Sequence, residues 1–281
     1  MTGGHISLFV LASLVINAHV DAFVPPKIRG RRISRGDDDA PRKKVVRQMF
    51  SGIVEEMGEV VSLTTNPALT LWDGSVGEGT ELVVRSPSGV ILEGSYEGAS
   101  IAINGVCTTV VVFDEHTFKV GLAPETLRRS NLGELSSGRP VNLERSLPAD
   151  GRNSGHFVQG HVDCTGTILS KEFEGESLWI KVGAPKELMR FVVPKGFIAV
   201  DGTSLTVCDV NHSEGWFTFM LVAFSQQKIV VPLKDVGATV NLEADVFGKY
   251  VERSVSALVD RVDVLEKQVQ ALIAAAGETS K

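Results

Sequence analysis

Ser100-Ile-Ala-Ile-Asn-Gly-Val-Cys-Thr-Thr-Val110 returns about a hundred residues later as Gly196-Phe-Ile-Ala-Val-Asp-Gly-Thr-Ser-Leu-Thr-Val207. Working outward, Val141-Asn-Leu-Glu144 returns as Val240-Asn-Leu-Glu243. Phe50-Ser-Gly-Ile-Val-Glu-Glu-Met-Gly-Glu-Val60 is echoed loosely by Phe157-Val-Gln-Gly-His-Val-Asp-Cys-Thr-Gly-Thr-Ile168. The offsets of 97, 99 and 108 keep the order of the motifs, so only loop lengths drift. A solenoid needs more copies at a shorter period, so two copies of this size mean a duplicated domain. If the ancestral domain bound a ligand, the chain carries two related pockets, as a reaction joining two similar molecules requires.

The 281 residues leave room for two cores, and 43% apolar content fits a globular body. The net charge of -6 is unevenly divided: residues 1–48 carry nine Lys/Arg against four Asp/Glu, and the remainder nineteen against thirty. An acidic body argues against nucleic acid as a partner. The three cysteines, Cys107, Cys164 and Cys208, are too few and too scattered for a disulfide framework or a zinc site. The latter two read as small reduced hydrophobes.

Residues 1–48 read as a disordered targeting leader. Ile6 to Ile16 is an apolar run too short to span a bilayer and suited to a signal-peptide core. A basic stretch follows, with Arg29, Arg31, Arg32, Arg35, Arg42, Lys43 and Lys44. This order resembles the bipartite plastid-targeting leaders of algae with secondary plastids, and Ala22-Phe23 resembles their cleavage motif. Asp37-Asp38-Asp39 departs from an acid-poor transit peptide. An ordinary secretory leader is the alternative, and neither reading leaves a membrane span in the mature form.

From Met49 onward strand signals dominate. Glu81-Leu-Val-Val-Arg85, Thr109-Val-Val-Val-Phe113, Ser177-Leu-Trp-Ile-Lys-Val182 and Trp216-Phe-Thr-Phe-Met-Leu221 are short, β-branched or aromatic, and bounded by turn residues. Many short strands predict a sandwich or barrel in each repeat. Ala123 to Arg129 and Ala184 to Arg190 each open with Pro in the first turn and predict short helices. The tail differs. Val251, Val255, Leu258, Val262, Leu265, Val269 and Leu272 alternate spacings of four and three, a narrow heptad seam that predicts a helix associating with copies of itself. The predicted domains are therefore a barrel at 49–147, a barrel at 148–246 and an oligomerisation helix at 247–281.

Strand parity sorts the polar residues of the echo. Residues two apart share a face, so Cys107 goes with Thr109, and Ser204 with Thr206. Each pair sits beside an Asn-Gly or Asp-Gly turn and suits hydrogen bonding to a flat polar ligand; β-propensity alone would also place Thr there. In Gly155-His-Phe-Val-Gln-Gly-His-Val-Asp163 the spacing of five puts His156 and His161 on opposite strand faces, against a shared metal. Parity joins His161 to Asp163, a histidine oriented by a carboxylate. Nothing resembles a nucleotide loop, a nucleophile elbow or a metal cluster.

Taken in order from Met49 to about Arg253, these motifs resemble the riboflavin synthase family in its plant and algal type. They are Met49-Phe-Ser-Gly-Ile-Val-Glu-Glu56, Asn104-Gly-Val-Cys-Thr-Thr-Val110, Glu125-Thr-Leu-Arg-Arg-Ser-Asn-Leu-Gly133, Val141-Asn-Leu-Glu-Arg145, Gly155-His-Phe-Val-Gln-Gly-His-Val162 and Lys195 to Val207. The resemblance implies an all-β fold of two homologous six-stranded Greek-key barrels and a C-terminal helix that holds a homotrimer. It implies dismutation of two 6,7-dimethyl-8-ribityllumazine molecules, one donating a four-carbon unit to the other, to riboflavin and 5-amino-6-ribitylaminouracil. No cofactor or metal is implied, and association with lumazine synthase is left open. One lumazine is expected on the first barrel and the other on the second barrel of a neighbouring subunit.

Carried over by motif, the first pocket takes Gly52, Ile53 and Val54, then Cys107, Thr108 and Thr109. It continues with Gly121, Leu122, Ala123, Pro124, Glu125 and Thr126, then Gly160, His161 and Val162. The second takes Lys195, Ser204, Leu205 and Thr206, then Met220, Leu221, Val222, Ala223, Phe224 and Ser225. Asn142 and Asp245 lie at matching ends of their repeats. Candidates for proton transfer and for nucleophilic addition to C7 of one ring are His161, Ser204, Thr206 and Cys107. Cys107 reads as a hydrogen-bonding wall, since a barrel strand offers no evident cation to lower its pKa. The second repeat has Val222-Ala-Phe-Ser225 where the first has Ala123-Pro-Glu-Thr126, a departure that resembles plant-type members. The competing reading is a non-catalytic lumazine- or flavin-binding relative on the same fold. Loss of one polar pair and of the helix would favour it, and both are present. A structural trimeric scaffold would explain the seam and not the paired motifs.

Overall fold

The computed structural model describes residues 49–70, 76–148 and 150–278. The leader at 1–48 lies outside the described residues, as does the side chain of Leu272. The first repeat folds into β1 (Glu56–Thr70), β2 (Val76–Arg85), β3 (Ser100–Ile103), β4 (Val106–Phe113), β5 (Thr117–Leu122) and β6 (Pro140–Arg145). The second folds into β7 (Cys164–Glu174), β8 (Ser177–Gly183), β9 (Phe197–Val200), β10 (Thr203–Asn211), β11 (Trp216–Leu221) and β12 (Thr239–Ala244). Each set closes into a six-stranded antiparallel barrel, in the order β1-β2-β5-β4-β3-β6 and its counterpart β7-β8-β11-β10-β9-β12. Closure removes the free sheet edges that an open sheet would present.

The ladders slip at matching places in the two copies: at Val60/Ser62 and Ile168/Ser170 in the first strands, and at Val110/Val112 and Val207/Val210 in the fourth. An extra residue at such a point bends and twists a strand, which a small barrel needs in order to close. Alternate residues fill each interior. Leu82, Val84, Ile101, Ile103, Val110, Phe118, Val120, Val141 and Leu143 line the first, and Ile168, Ile180, Val182, Ile198, Val200, Val207, Phe217, Phe219, Val240 and Leu242 the second. Short helices α1 (Pro124–Arg129), α2 (Lys186–Met189) and α3 (Ala223–Gln226) punctuate the barrels. The first two fall inside the ranges predicted from the Pro-led openings, while α3 carries no such signal. Helix α4 (Val246–Glu278) runs 33 residues, roughly 50 Å at the helical rise.

The barrels meet back to back through their own repeat. The turns Asn104-Gly105 and Asp201-Gly202 all take positive φ, at 44° and 76° and at 44° and 79°. A Cβ on Gly105 would lie 2.5 Å from the backbone N of Gly202, so only glycine lets the turns abut. Asn142 and Asn241 stitch the seam. The Nδ2 of Asn142 donates to the Asp201 carbonyl at 2.8 Å, and that of Asn241 to the Asn104 carbonyl at 2.9 Å. Their Oδ1 atoms accept from Val230 N at 2.9 Å and Asn131 N at 2.8 Å. Both side chains are buried, and each bonds through its amide nitrogen and its amide oxygen. Symmetry breaks at Asp201, which is fully buried and takes an ion pair from Lys234 at 2.6 Å where the first repeat has Asn104.

Candidate active site

The segments that lead into the barrels build the sites. Phe50 and Val158 form a two-way bridge, Phe50 N donating to Val158 O at 2.7 Å and Val158 N to Phe50 O at 3.1 Å. Phe50, Val158, Ala102 and Ala199 form a small buried cluster between the barrels, with Cys107 against it. Beyond this crossing each segment lies over the barrel of the other repeat. Gly52 O accepts from Ser204 N at 2.7 Å, and Gly160 O accepts from Cys107 N at 2.8 Å. Val54 packs on the second barrel's core and Val162 on the first's. The close approach explains the glycines: both have φ of 75°, and a Cβ on either would come within 2.6 Å of Ser204 Cβ or Cys107 Cβ.

This exchange corrects the grouping expected from the sequence. Gly52, Ile53 and Val54 belong with Ser204 on the second barrel, while Gly160, His161 and Val162 stay with Cys107 on the first. The reading of 155–163 as a strand is also overturned. The segment is irregular apart from the Val158 bridge, because Gly160 sits in the left-handed region and the backbone bonds go to distant carboxylates. His161 is exposed, and its backbone N donates to Glu243 Oε2 at 2.9 Å. Asp163 does not orient it: Asp163 Oδ2 pairs with Lys249 Nζ at 2.7 Å and accepts from Ala244 N at 2.9 Å.

Parity places the echo residues as the strands require. Cys107 and Thr109, like Ser204 and Thr206, face out of their barrels, while Thr108 and Leu205 face in. Thr108 Oγ1 donates to Ile101 O at 2.8 Å, and Leu205, Leu122 and Leu221 fill the cores, so these four offer an outer site only backbone. Asn142 is occupied in the seam. Exposed Gly121 and Met220 hold matching positions on β5 and β11. Ala123, Pro124, Glu125 and Thr126 continue the first face, where Glu125 is held by Arg128 at 2.6 Å and Arg129 at 2.8 Å. Val222, Ala223, Phe224 and Ser225 continue the second, and Phe224 is 71% exposed. Lys195 N donates to Val207 O at 2.8 Å with φ of 64°, a left-handed conformation that the first repeat gives to Gly98.

His156, passed over in the sequence, is the best-placed titratable group. Its Nδ1 lies 2.7 Å from Ser204 Oγ, and its ring stacks on Phe197 at 5.1 Å and 7°. Burial lowers its pKa from the ordinary histidine value, against the field of Asp245, which favours the neutral imidazole. A neutral ring beside a hydroxyl can take a proton. Its buried Nε2 has no protein partner. Asp245 starts α4, accepting from Phe247 N at 3.1 Å. Asp245, Phe197 and Phe247 line a cavity of about 640 Å³ between α4 and the second barrel. On the first face the Cys107 thiol is pushed up by burial, with a Ser100 hydrogen bond pulling it down and Glu243 adding to the rise. A thiol so placed is a poor nucleophile. Among the described residues no cluster of His, Cys, Asp or Glu could hold a metal ion, and no helix is long and apolar enough to cross a membrane.

The family model "Lumazine binding domain" matches twice, at residues 51–146 and 159–245. The chain is similar to the riboflavin synthase of Meyerozyma guilliermondii, 44% identical over 74% of this chain and 86% of the relative. It is 41% identical to that of Schizosaccharomyces pombe over 74% of this chain and 95% of the relative. For Mycobacterium tuberculosis the identity is 42%, over 73% and 97%. Crystal structures of LumP with riboflavin and with 6,7-dimethyl-8-(1'-D-ribityl) lumazine superpose with TM-scores of 0.61 and 0.59, at 20% and 19% identity. Each covers 70% of this chain and 99% of LumP, a likeness of fold. Two matched domains in tandem and relatives aligned over nearly their whole length place the chain in the riboflavin synthase family.

Proposed function

We infer that the chain converts two molecules of 6,7-dimethyl-8-ribityllumazine into riboflavin and 5-amino-6-ribitylaminouracil. The two products contain together all the atoms of two substrates, so the reaction calls for no external oxidant or reductant. The protein must hold two rings in a productive relative orientation, which can supply much of the barrier reduction. It must also move protons between them. The observation that carries the reading is a pair of homologous outward faces, Cys107/Thr109 and Ser204/Thr206, each closed by the other repeat's lead-in segment. Among the described residues, the second alone holds a buried histidine on its hydroxyl, its pKa lowered by burial. There His156 takes the proton and Ser204 holds or attacks the ring, while Cys107 and Thr109 bind the second ring. His161, open to solvent beside Cys107, relays protons on the first face.

Both faces point outward, so bringing two rings together calls for a second copy of the chain. The seam of α4 supports a homotrimer as that assembly: Val251, Val255, Leu258, Val262, Leu265 and Val269 are each about half or more exposed. The apolar core and basic stretch of residues 1–48 support delivery to a plastid, and Val222-Ala-Phe-Ser225 supports a plant-type lineage. Fusion of residues 1–48 to a fluorescent protein, followed by microscopy, tests the address.

Incubating purified residues 49–281 with the lumazine, in buffer containing a chelator, tests the reaction. The reading expects riboflavin and the pyrimidine in equal amounts. Tight lumazine binding without turnover would instead make the chain a carrier.

A further inference from the structure

We propose that Glu144, on the first barrel, is the positioning residue of the Ser204–His156 pair on the second. Glu144 lies on β6 and is 5% exposed. Its Oε1 accepts from Ser51 N at 2.7 Å and Ser51 Oγ at 2.8 Å, and Gly52 N reaches both carboxylate oxygens at 3.1 Å. One carboxylate thus holds the dipeptide Ser51-Gly52. The two carbonyls of that dipeptide have distinct clients. Ser51 O accepts from His156 N at 3.1 Å, and Gly52 O accepts from Ser204 N at 2.7 Å. The backbones of both partners are therefore fixed from a single point, and their side chains meet at 2.7 Å.

The duplication supplies the contrast. Glu243 on β12 accepts from Gln159 N at 2.7 Å and His161 N at 2.9 Å, and the enclosed Gly160 O accepts from Cys107 N at 2.8 Å. The same clasp there sets a wall and no histidine–hydroxyl pair. A buried carboxylate is a poor choice for core filling alone, since an apolar residue of similar volume serves stability as well or better. Retention of the clasp in both copies fits a demand for geometry.

The clasp is also sensitive to pH. Burial raises the Glu144 carboxyl to about 7, against the donors of Ser51 and Gly52 that pull it down, and Glu55 adds to the rise. Glu55 is itself paired to Arg145 at 2.5 Å, and Glu93 and Arg152 face the same cavity of about 550 Å³. Protonation replaces an acceptor with a donor, so it loosens the hold on the two amides.

The inference rests on the synthase reading, and Glu144→Gln in residues 49–281 tests it. Glutamine keeps the shape, keeps one acceptor and loses the charge. The expected result is a fall in kcat of at least about tenfold with KM changed by less than about threefold. The acid limb of the kcat profile near pH 7 should move to lower pH, where His156 alone sets it. NMR titration of the His156 ring should show its pKa moved toward the ordinary value. Glu243→Gln should change KM and leave that limb in place. A folded Glu144→Gln protein with wild-type kcat and pH profile overturns the proposal, as does a loss of activity matching only the loss of folded protein. If this variant does not fold, Ser51→Ala removes the hydroxyl donor alone; it should lower kcat at constant KM, and an unchanged kcat overturns the proposal. Wild-type protein that makes no riboflavin would refute the synthase reading instead. The NMR titration then still decides whether Glu144 positions His156.

Discussion

Cys107 and Ser204 occupy the same place on two copies of one barrel, and they keep different company. Each points outward from the fourth strand of its barrel and donates its backbone N to a left-handed glycine of the other repeat. Beside Ser204 stands the buried His156, with Phe197 stacked on its ring. Beside Cys107 the lead-in segment offers Gly160 and the solvent-exposed His161. Counting back by the offset of 108, the place of His156 falls on Gln48, outside the described residues. Duplication preserved the backbone scaffold, and the side chains on the two faces diverged.

Removing the helix proposed to bring the two faces together should have the largest effect. Deletion of residues 251–281 takes away the exposed Val/Leu stripe and leaves both barrels whole. The expected product is a monomer by sedimentation that binds lumazine and has lost turnover by roughly a hundredfold or more, about 2.7 kcal/mol. An unchanged oligomer would show that the barrels associate by themselves.

His156→Gln comes next. It keeps a polar group near Ser204 and removes the base, so kcat should fall by at least about tenfold, roughly 1.4 kcal/mol. The pH dependence carries a sign. The folded pKa of His156 lies below the unfolded value of 6.5, so its contribution to stability is present above 6.5 and lost as pH falls through the folded pKa. Glu144 acts oppositely: raised from 4.5 to about 7, it favours the fold below 4.5 and loses that contribution as pH rises through 7. Thermal melts across pH 4.5–7.5 should therefore show Tm falling less steeply with acid than His156 alone dictates. The His156→Gln protein should gain Tm relative to wild type at the acid end.

Much of this contrast was legible in the sequence. The echo motif implied a duplicated domain, and strand alternation put Cys107 on one face with Thr109 and Ser204 on one face with Thr206, because period two survives wherever a ladder is regular. The lead-in segments were not legible. Their shape comes from two positive-φ glycines and from carboxylates 82 to 93 residues away, and parity rules do not apply to them. His156 was hidden because its partner lies 48 residues further on. A usable signal did exist in the repeated Val-Asn-Leu-Glu, where an identical charged residue closes an apolar strand in both copies.

A smaller effect is expected from making the faces alike. A Cβ placed on Gly121 would meet nothing within 4 Å, whereas the second face has Met220 at that position. Gly121→Met should fill the first face and raise KM by a few-fold at nearly constant kcat, about 0.5–1 kcal/mol of ground-state binding. A drop in kcat with KM untouched would mean that Gly121 lies beside the reacting atoms.

Assaying Cys107→Ser and Ser204→Ala side by side tests the inequality of the faces most directly. Both proteins would be checked for fold by circular dichroism and for assembly by sedimentation, then followed by riboflavin fluorescence at saturating lumazine. Cys107→Ser should keep most of the wild-type kcat, since a small polar group remains on a wall. Ser204→Ala should lose at least about tenfold. A dead Cys107→Ser beside an active Ser204→Ala would make the thiol the nucleophile and exchange the roles of the two barrels.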